Sequence, residues 1–369
     1  MSILLSDKFI FMLYDSQIKN LFKLLNTNSP SGLESSVSEY LKNRIGTKCN
    51  VYTDVIGNTY MHCGTCNGLK IMLSSHCDEV SFQVTKIDNN GFVYFRRVAS
   101  PDRQTVCGER LIVVKKEKQL IGVVGKKSPH VMQEAEALQV PDINNLWVDF
   151  GFSNDKEASK YISIGDYLVP FSEPFLSNNN SKIISKALDN KISVFILSEV
   201  MNMLAMENLP FSVTSVATVQ EEVGCRGAII ASQHIHPDIA FCLDVGIATD
   251  IPSMKNINEY GHLILGMGPG INVNPENNPI LISLLNDVAK EKKIDIQQTI
   301  GFRPVRGTET GHIQLSNRGV ATALISIPNR YMHSPVEMCD LSDVNNSIKL
   351  LYHTIKKIEQ CKITDFTPW

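Results

Sequence analysis

Apolar residues recur at helical spacing early in the chain, over residues 17–25 and again over residues 34–45, where Leu33, Val37, Tyr40 and Leu41 repeat on one side. The period then shortens to that of strands. Residues 51–61 and 69–75 read as extended, and the turn-rich Cys63-Gly64-Thr65-Cys66-Asn67-Gly68 between them predicts a hairpin. From Val80 to Pro174 the chain consists of short β-rich runs, such as residues 82–87 and 92–98 around the turn signal Asp88-Asn89-Asn90-Gly91. No long helical pattern interrupts them, which predicts a small β-barrel or sandwich. After Pro174 helices and strands alternate: helix 191–204 before strand 211–219, helix 227–233 before strand 239–243, helix 279–292 before strand 320–327. A closing helix carries Val344, Ile348, Leu351 and Ile355 on one face. The pattern predicts an α/β layer fold made of residues 1–79 and 175–369, with residues 80–174 inserted as a β-rich domain.

With 369 residues, 43% of them apolar, the chain can bury a substantial core. Its 38 acidic and 35 basic residues leave a net charge of -3 without a long run of either sign. An electrostatic footprint for nucleic acid or an anionic membrane is missing, so neither is expected as a partner. No apolar stretch reaches the roughly 18 residues that argue for a membrane-spanning helix. The start of the chain carries Asp7 and Lys8 without a basic head and cleavage site, so no signal peptide is expected. Nine scattered cysteines fit free thiols in a reducing compartment, and a cytoplasmic location is the expectation.

Ligands of open α/β sheets bind outside the carboxyl ends of the strands, and this is where the chain concentrates its chemistry. His76 and Asp78 end one predicted run, Glu221 and Glu222 the next, and Asp244 follows residues 240–243. His333 lies just beyond the run ending at Pro328, and Asp189 opens the helix after residues 185–188. A set of imidazoles and carboxylates without cysteine suits zinc, cobalt or manganese, metals that can keep a position open for water. Two such ions can share a carboxylate and a water, lower the water's pKa and stabilise a tetrahedral oxyanion, while a neighbouring carboxylate moves protons. Glu221 and Glu222 can divide base and ligand duties. Asp78, two residues from His76 on an extended segment, shares its face and can orient the imidazole.

At these residues the chain resembles the glutamyl/tetrahedral aminopeptidase family of two-metal peptidases in clan MH. The matching stretches are Ser75-His76-Cys77-Asp78-Glu79-Val80, Ala187-Leu188-Asp189-Asn190, Gln220-Glu221-Glu222-Val223-Gly224-Cys225-Arg226-Gly227-Ala228, Leu243-Asp244-Val245 and residues 327–335 around His333. The resemblance implies a mixed-sheet, zinc-peptidase-like catalytic domain with an inserted small, PDZ-like β-barrel that mediates dimerisation. It implies that His76, Asp189 and Asp244 hold one divalent ion and Asp189, Glu222 and His333 the other, zinc or cobalt foremost. Glu221 is then the general base and Asp78 the orienter of His76. Peptides are the implied substrates, and dimers are implied to assemble into a tetrahedral dodecamer. The chain departs from the family pattern at Thr308-Glu309-Thr310, where Thr-Asp-Ala is usual, so that a longer carboxylate is expected to reshape the substrate side. Cys77 and Ser81 depart as well, and nothing in the sequence explains Ser81.

Any one of these histidines alone is more often structural than a ligand; the constellation carries the argument. Other motifs keep the plainer reading. His62-Cys63 with Cys66 lacks a second cysteine pair and reads as a turn. His234-Ile235-His236 reads as a solvated loop, and residues 266–270 as a turn, because Pro269 and the spacing do not suit a phosphate loop. Among rival functions, some proteins similar to this one have been named endoglucanases. A glycosidase, however, needs two carboxyls roughly 5 to 9.5 Å apart and no metal. A dipeptidase or carboxypeptidase uses the same two-metal core. A non-catalytic assembly protein would not need Glu221 and all five ligands.

Overall fold

The computed structural model describes residues 13–65, 68–115, 119–254, 261–301, 307–361 and 365–368. Helices α1 (Asp15–Leu25) and α2 (Ser35–Ile45) precede strands β1 (Asn50–Thr53), β2 (Thr59–Gly64) and β3 (Lys70–His76). Next come β4 (Ser81–Ile87), β5 (Val93–Val98), β6 (Arg110–Val113) and β7 (Leu120–Gly125), then the one-turn helix α3 (Glu134–Ala137), β8 (Trp147–Asp149), the equally short α4 (Asp155–Ala158) and β9 (Tyr167–Pro170). The chain continues through β10 (Phe175–Leu176), β11 (Lys182–Ser185), α5 (Leu188–Leu204), β12 (Ser212–Thr218), α6 (Arg226–Ile235) and β13 (Ile239–Ile247). It ends with β14 (Gly270–Asn272), α7 (Pro279–Lys292), β15 (Gln297–Thr299), α8 (Thr310–Gln314), β16 (Ala321–Asn329), β17 (Glu337–Asp340) and α9 (Leu341–Cys361).

Strands from both ends of the chain form one mixed sheet in the order β1-β2-β12-β3-β13-β16-β14-β15, whereas β4 to β9 close into a barrel of their own. The central strands β12, β3, β13 and β16 run parallel. They are buried along nearly their whole length, as expected where helices cover both faces of a parallel sheet. One face packs on α5, α7, α9, α1 and α2 through Leu73, Phe195, Phe241 and Leu351, among others. The opposite face packs on α6 and α8 through Ala228, Ala231 and Ile313. The barrel has a separate core around Phe82, Phe95, Val124 and Leu168.

The hairpin expected at residues 63–68 is not formed. The hairpin is instead β1 with β2, in the register Asn50 to His62 and Thr53 to Thr59, while β12 sits between β2 and β3. The turn was hidden inside the apolar run 51–61. Asp54 Oδ1 accepts the backbone N–H groups of Ile56, Gly57 and Asn58 at 3.2, 2.9 and 2.9 Å, and Gly57 takes a φ of +107° that disfavours any side chain. Asn58 then reaches across the fold. It donates to Gly227 O at 3.0 Å and accepts the Val219 N–H at 3.0 Å, fixing the loop after β12. A Cβ on Gly227 would fall 2.5 Å from Val219 N, so α6 can start there only with glycine.

A buried charge cluster ties α5 to the end of β3. Glu79 accepts from Lys186 Nζ at 2.5 Å, Lys191 Nζ at 2.9 Å and the Ser29 N–H at 2.7 Å. Burial would raise the Glu79 carboxyl, but the two ammonium groups outweigh it and bring it down to about 2. Because its folded value lies below the ordinary 4.5, the stability it contributes is present above that pH and is lost as pH falls through about 2. Glu79→Gln leaves two lysines buried with a single neutral acceptor and is expected to cost about 3–5 kcal/mol in denaturant unfolding at neutral pH. A change below about 1 kcal/mol would show that the cluster is not a structural tie.

Candidate metal centre

Five segments converge at the carboxyl ends of the parallel strands. His76 is the last residue of β3 and only 2% exposed. Asp189 lies at the start of α5, where it and Asn190 have non-helical φ/ψ across a cis peptide bond. Glu221 and Glu222 sit in the loop between β12 and α6, three and four residues past the strand end rather than on it. Asp244 lies within β13, which runs on to Ile247 instead of stopping at Leu243. His333 comes from the loop between β16 and β17 and has a positive φ of +63°.

Asp189 occupies the middle of the group. Its Oδ1 is 3.0 Å from His76 Nε2 and its Oδ2 is 3.2 Å from His333 Nε2. On one side His76 Nε2 is 3.7 Å from Asp244 Oδ1; on the other, His333 Nε2 is 3.4 Å from Glu222 Oε1. Glu221 Oε2 lies 3.9 Å from His76 Nε2. Ligand atoms of His76, Asp189 and Glu222 all fall within 4.8 Å of one another, close enough to hold one cation.

Each imidazole is held from behind, which leaves its Nε2 facing Asp189. His76 Nδ1 is 3.2 Å from the Asp78 backbone carbonyl and 3.3 Å from Asp78 Oδ1. The Asp78 carboxylate also accepts the Glu221 and Glu222 N–H groups at 2.9 and 3.2 Å and the Ser31 hydroxyl at 2.6 Å. Asp78 therefore sets both the ring, through its carbonyl and carboxylate, and the loop that carries the two glutamates. On the other side, His333 Nδ1 lies 2.9 Å from the Ser100 carbonyl, and the Asp102 N–H donates to His333 O at 3.0 Å. Residues 100 and 102 belong to the connection between β5 and β6, so the barrel supports this part of the site.

The electrostatics are those of crowded anions. Burial pushes the Glu221 carboxyl up to about 8, with Glu222, Glu309 and Asp78 adding to the rise and His76 opposing it. Burial likewise holds Asp244 well above the ordinary carboxylate range, with Asp189, Glu221 and Glu309 reinforcing it against His76. Burial disfavours charge on His333, yet its contacts with Asp189 and Glu222 win and drive the imidazole up to about 12. Burial alone would raise Asp189, but the two imidazoles hold it well below its usual value. Without a metal the pocket thus binds protons, and divalent cations would take their place. An open cleft of about 480 Å³ adjoins these groups, with Leu263, Asn272, Asn274 and Ser326 among its walls.

Residues 57–350 match the M42 glutamyl aminopeptidase family. The chain belongs to that family. M42 enzymes are metal-dependent peptide hydrolases of the aminopeptidase type. Among relatives, the lysyl aminopeptidase of Pyrococcus furiosus is 33% identical over 322 residues, covering 86% of this chain and 89% of that protein. The structure of a TET aminopeptidase from a marine sediment Thaumarchaeota archaeon is 28% identical, with a TM-score of 0.88 over 96% of this chain and 100% of the other. The Pyrococcus horikoshii TET1 peptidase, which can assemble into a tetrahedron or a large octahedral shell, is 27% identical, with a TM-score of 0.82 over 91% of this chain and 98% of the other.

Two buried glutamates lie behind this group of residues: Glu337, which the sequence did not single out, and Glu309, expected from the sequence to reshape the substrate side. Glu337, 1% exposed, accepts the Asp189 N–H at 2.7 Å and the His333 N–H at 2.8 Å on its two oxygens. Its position two residues after Pro335 is the one local cue. Glu309 is only 3% exposed and points inward instead of shaping the cleft wall: it accepts from Ser74 Oγ at 2.5 Å and from Thr218 Oγ1. Thr218 pairs with His76 in the sheet, so the longer side chain braces the two strands beneath that imidazole. The other set-aside motifs stay outside the site. His234 packs edge-on against Tyr60, and Asp343 accepts the N–H groups of Gly266 and Gly268 at 2.8 and 2.7 Å, leaving them no phosphate to bind. Cys66 lies outside the described residues.

Glu337→Gln replaces one accepting oxygen by an NH2 group that faces a backbone N–H. Metal affinity, measured by competition with a chromogenic chelator, is expected to fall about 10–100-fold. Unchanged affinity would mean that the two segments hold their geometry without it.

Proposed function

We propose that this M42 protein removes N-terminal residues from peptides with Glu221 as general base and two divalent cations, zinc or cobalt, both of which Asp189 would help to hold. The observation that carries this reading is the convergence of His76 and His333 on opposite oxygens of one buried aspartate, at 3.0 and 3.2 Å. Asp189 Oδ1 is buried without a properly directed hydrogen bond, and the donor set of imidazoles and carboxylates suits such ions. His76, Asp189 and Asp244 would hold one cation, and Asp189, Glu222 and His333 the other. When bound, the pair would lower the pKa of water and polarise the scissile carbonyl.

The remaining work falls to the chain. Glu221, beside His76 and at the edge of the cleft, takes a proton from the attacking water and returns it to the departing amine. Asp78 keeps His76 in register and steadies the Glu221 backbone, so the base does not drift from the cleft. The cleft receives the first side chain of the peptide.

We further infer that residues 80–174 form a dimerisation domain and that dimers assemble into a tetrahedral dodecamer. The assembly of the Pyrococcus horikoshii TET1 peptidase supports this, as do the exposed apolar residues Val131, Leu138, Val140 and Ile164 on the inserted segment. Peptides are the partners of the site, and a cytoplasmic location fits a protein in which no described helix is long and apolar enough to cross a membrane.

Release of the first residue from C-terminally amidated peptides should stop on chelation and return with zinc or cobalt, whereas N-acetylated peptides and cellulose stay intact. Cleavage from the carboxyl end would replace this reading by a carboxypeptidase. Glu221→Gln should lower kcat by about 10²–10⁴-fold while elemental analysis finds the metal content unchanged; near-normal turnover removes Glu221 as the base. His333→Ala is expected to lose bound metal, and full occupancy in that variant would take His333 out of the ligand set.

A further inference from the structure

At the other end of the sheet from the metal centre, two cysteines face each other across the edge hairpin. The β1–β2 register pairs Asn50 with His62, so the next step pairs Cys49 with Cys63. The Asp54 N–H donates to Asn58 O at 3.1 Å. Hydrogen-bonded pairs therefore alternate from 54/58 through 52/60 to 50/62, and Cys49 opposes Cys63 at a non-hydrogen-bonded position. There the two Cα atoms approach most closely and the side chains meet. Both cysteines are reduced; Cys49 is 7% exposed and Cys63 half-buried. The Cys63 thiol hydrogen-bonds to Cys49, which favours the Cys49 thiolate, while Cys49 Sγ also lies 3.7 Å from Met201 O near the end of α5. The pairing of Val213 with Cys63 and of Thr218 with His76 puts this dithiol and the metal centre at opposite ends of β12.

We propose that Cys49 and Cys63 are an oxidation site that a peroxide converts into a cross-strand disulfide, stapling the free edge strand β1 to β2. The Cys49 thiolate takes one oxygen from hydrogen peroxide, and the other leaves as hydroxide, which is protonated to water. The Cys63 sulfur then attacks the resulting sulfenic sulfur and expels a second water. Two thiols and one peroxide give one disulfide and two waters, so the two sulfurs supply the two electrons the peroxide gains. The staple closes a loop of about 15 residues, a constraint placed chiefly on the unfolded chain. It leaves the ligand-bearing ends of the strands untouched, and it stands independently of the peptidase reading.

The test is treatment of the purified full-length protein with hydrogen peroxide, followed by thiol titration, non-reducing peptide mapping and urea unfolding. The expected result is the loss of two thiols per chain, a linked peptide containing Cys49 and Cys63, and an unfolding midpoint that rises and returns with dithiothreitol. Cys63→Ser should abolish the link; Cys66→Ser should leave it intact. A bridge between Cys63 and Cys66, or conversion of Cys63 to sulfinic acid without any bridge, would overturn the assignment, and a link that leaves the midpoint unmoved would overturn the staple. The half-buried Cys63 carries the mutational arm because it borders the packed core, whereas Cys49 lies within it.

Discussion

A single buried carboxylate approached from both sides by an imidazole sets the geometry of this molecule's working end. Asp189 can meet His76 and His333 together only if the end of β3, the start of α5 and the β16–β17 loop are all fixed relative to one another. The fold supplies that rigidity in layers. Burial of α5 against the sheet sets the position of Asp189, Asp78 governs His76 and the glutamate loop, and Glu337 joins the backbones of Asp189 and His333. The inserted barrel takes part as well through Ser100, so a domain with its own core has a direct hold on one imidazole.

The second constraint is charge. Asp78, Asp189, Glu221, Glu222, Asp244, Glu309 and Glu337 crowd around two imidazoles, most of them buried. Such a density of carboxylates without compensating cations is costly in a protein interior, which is why several are driven toward their protonated forms. A fold that keeps this arrangement gives up stability at the rim and recovers it elsewhere, for instance in the apolar packing of the four central strands and in the Glu79–Lys186–Lys191 tie. The hydroxyls of Ser31, Ser74 and Thr218 relieve part of the strain by donating to Asp78 and Glu309.

Parts of this were legible in the chain and parts were not. The long helices α5, α7 and α9 and the buried strands β12, β13 and β16 announce themselves because apolar runs of that length have few other places to go. The strands β10, β11, β14, β15 and β17 span two to four residues and carry no usable period. The β1–β2 turn was masked by the apolar Val55 and Ile56, although Asp54 and Gly57 are its chemistry. Glu337 was invisible as a partner of the site, and the inward aim of Glu309 was hidden, because their work is done through hydrogen bonds to residues 148 and 235 positions away.

The sequence by itself singled out the imidazoles and carboxylates that the fold brings together, through their place near the ends of apolar runs and the family resemblance, and it showed that a β-rich segment interrupts an α/β chain. Only the tertiary structure decided strand order, the placement of β12 between β2 and β3, the inward aim of Glu309 and the facing of Cys49 with Cys63. The physical reason is the range of the forces involved: periodicity and turn chemistry act over a few residues, whereas strand neighbours and buried polar partners are chosen by packing between segments that are distant along the chain.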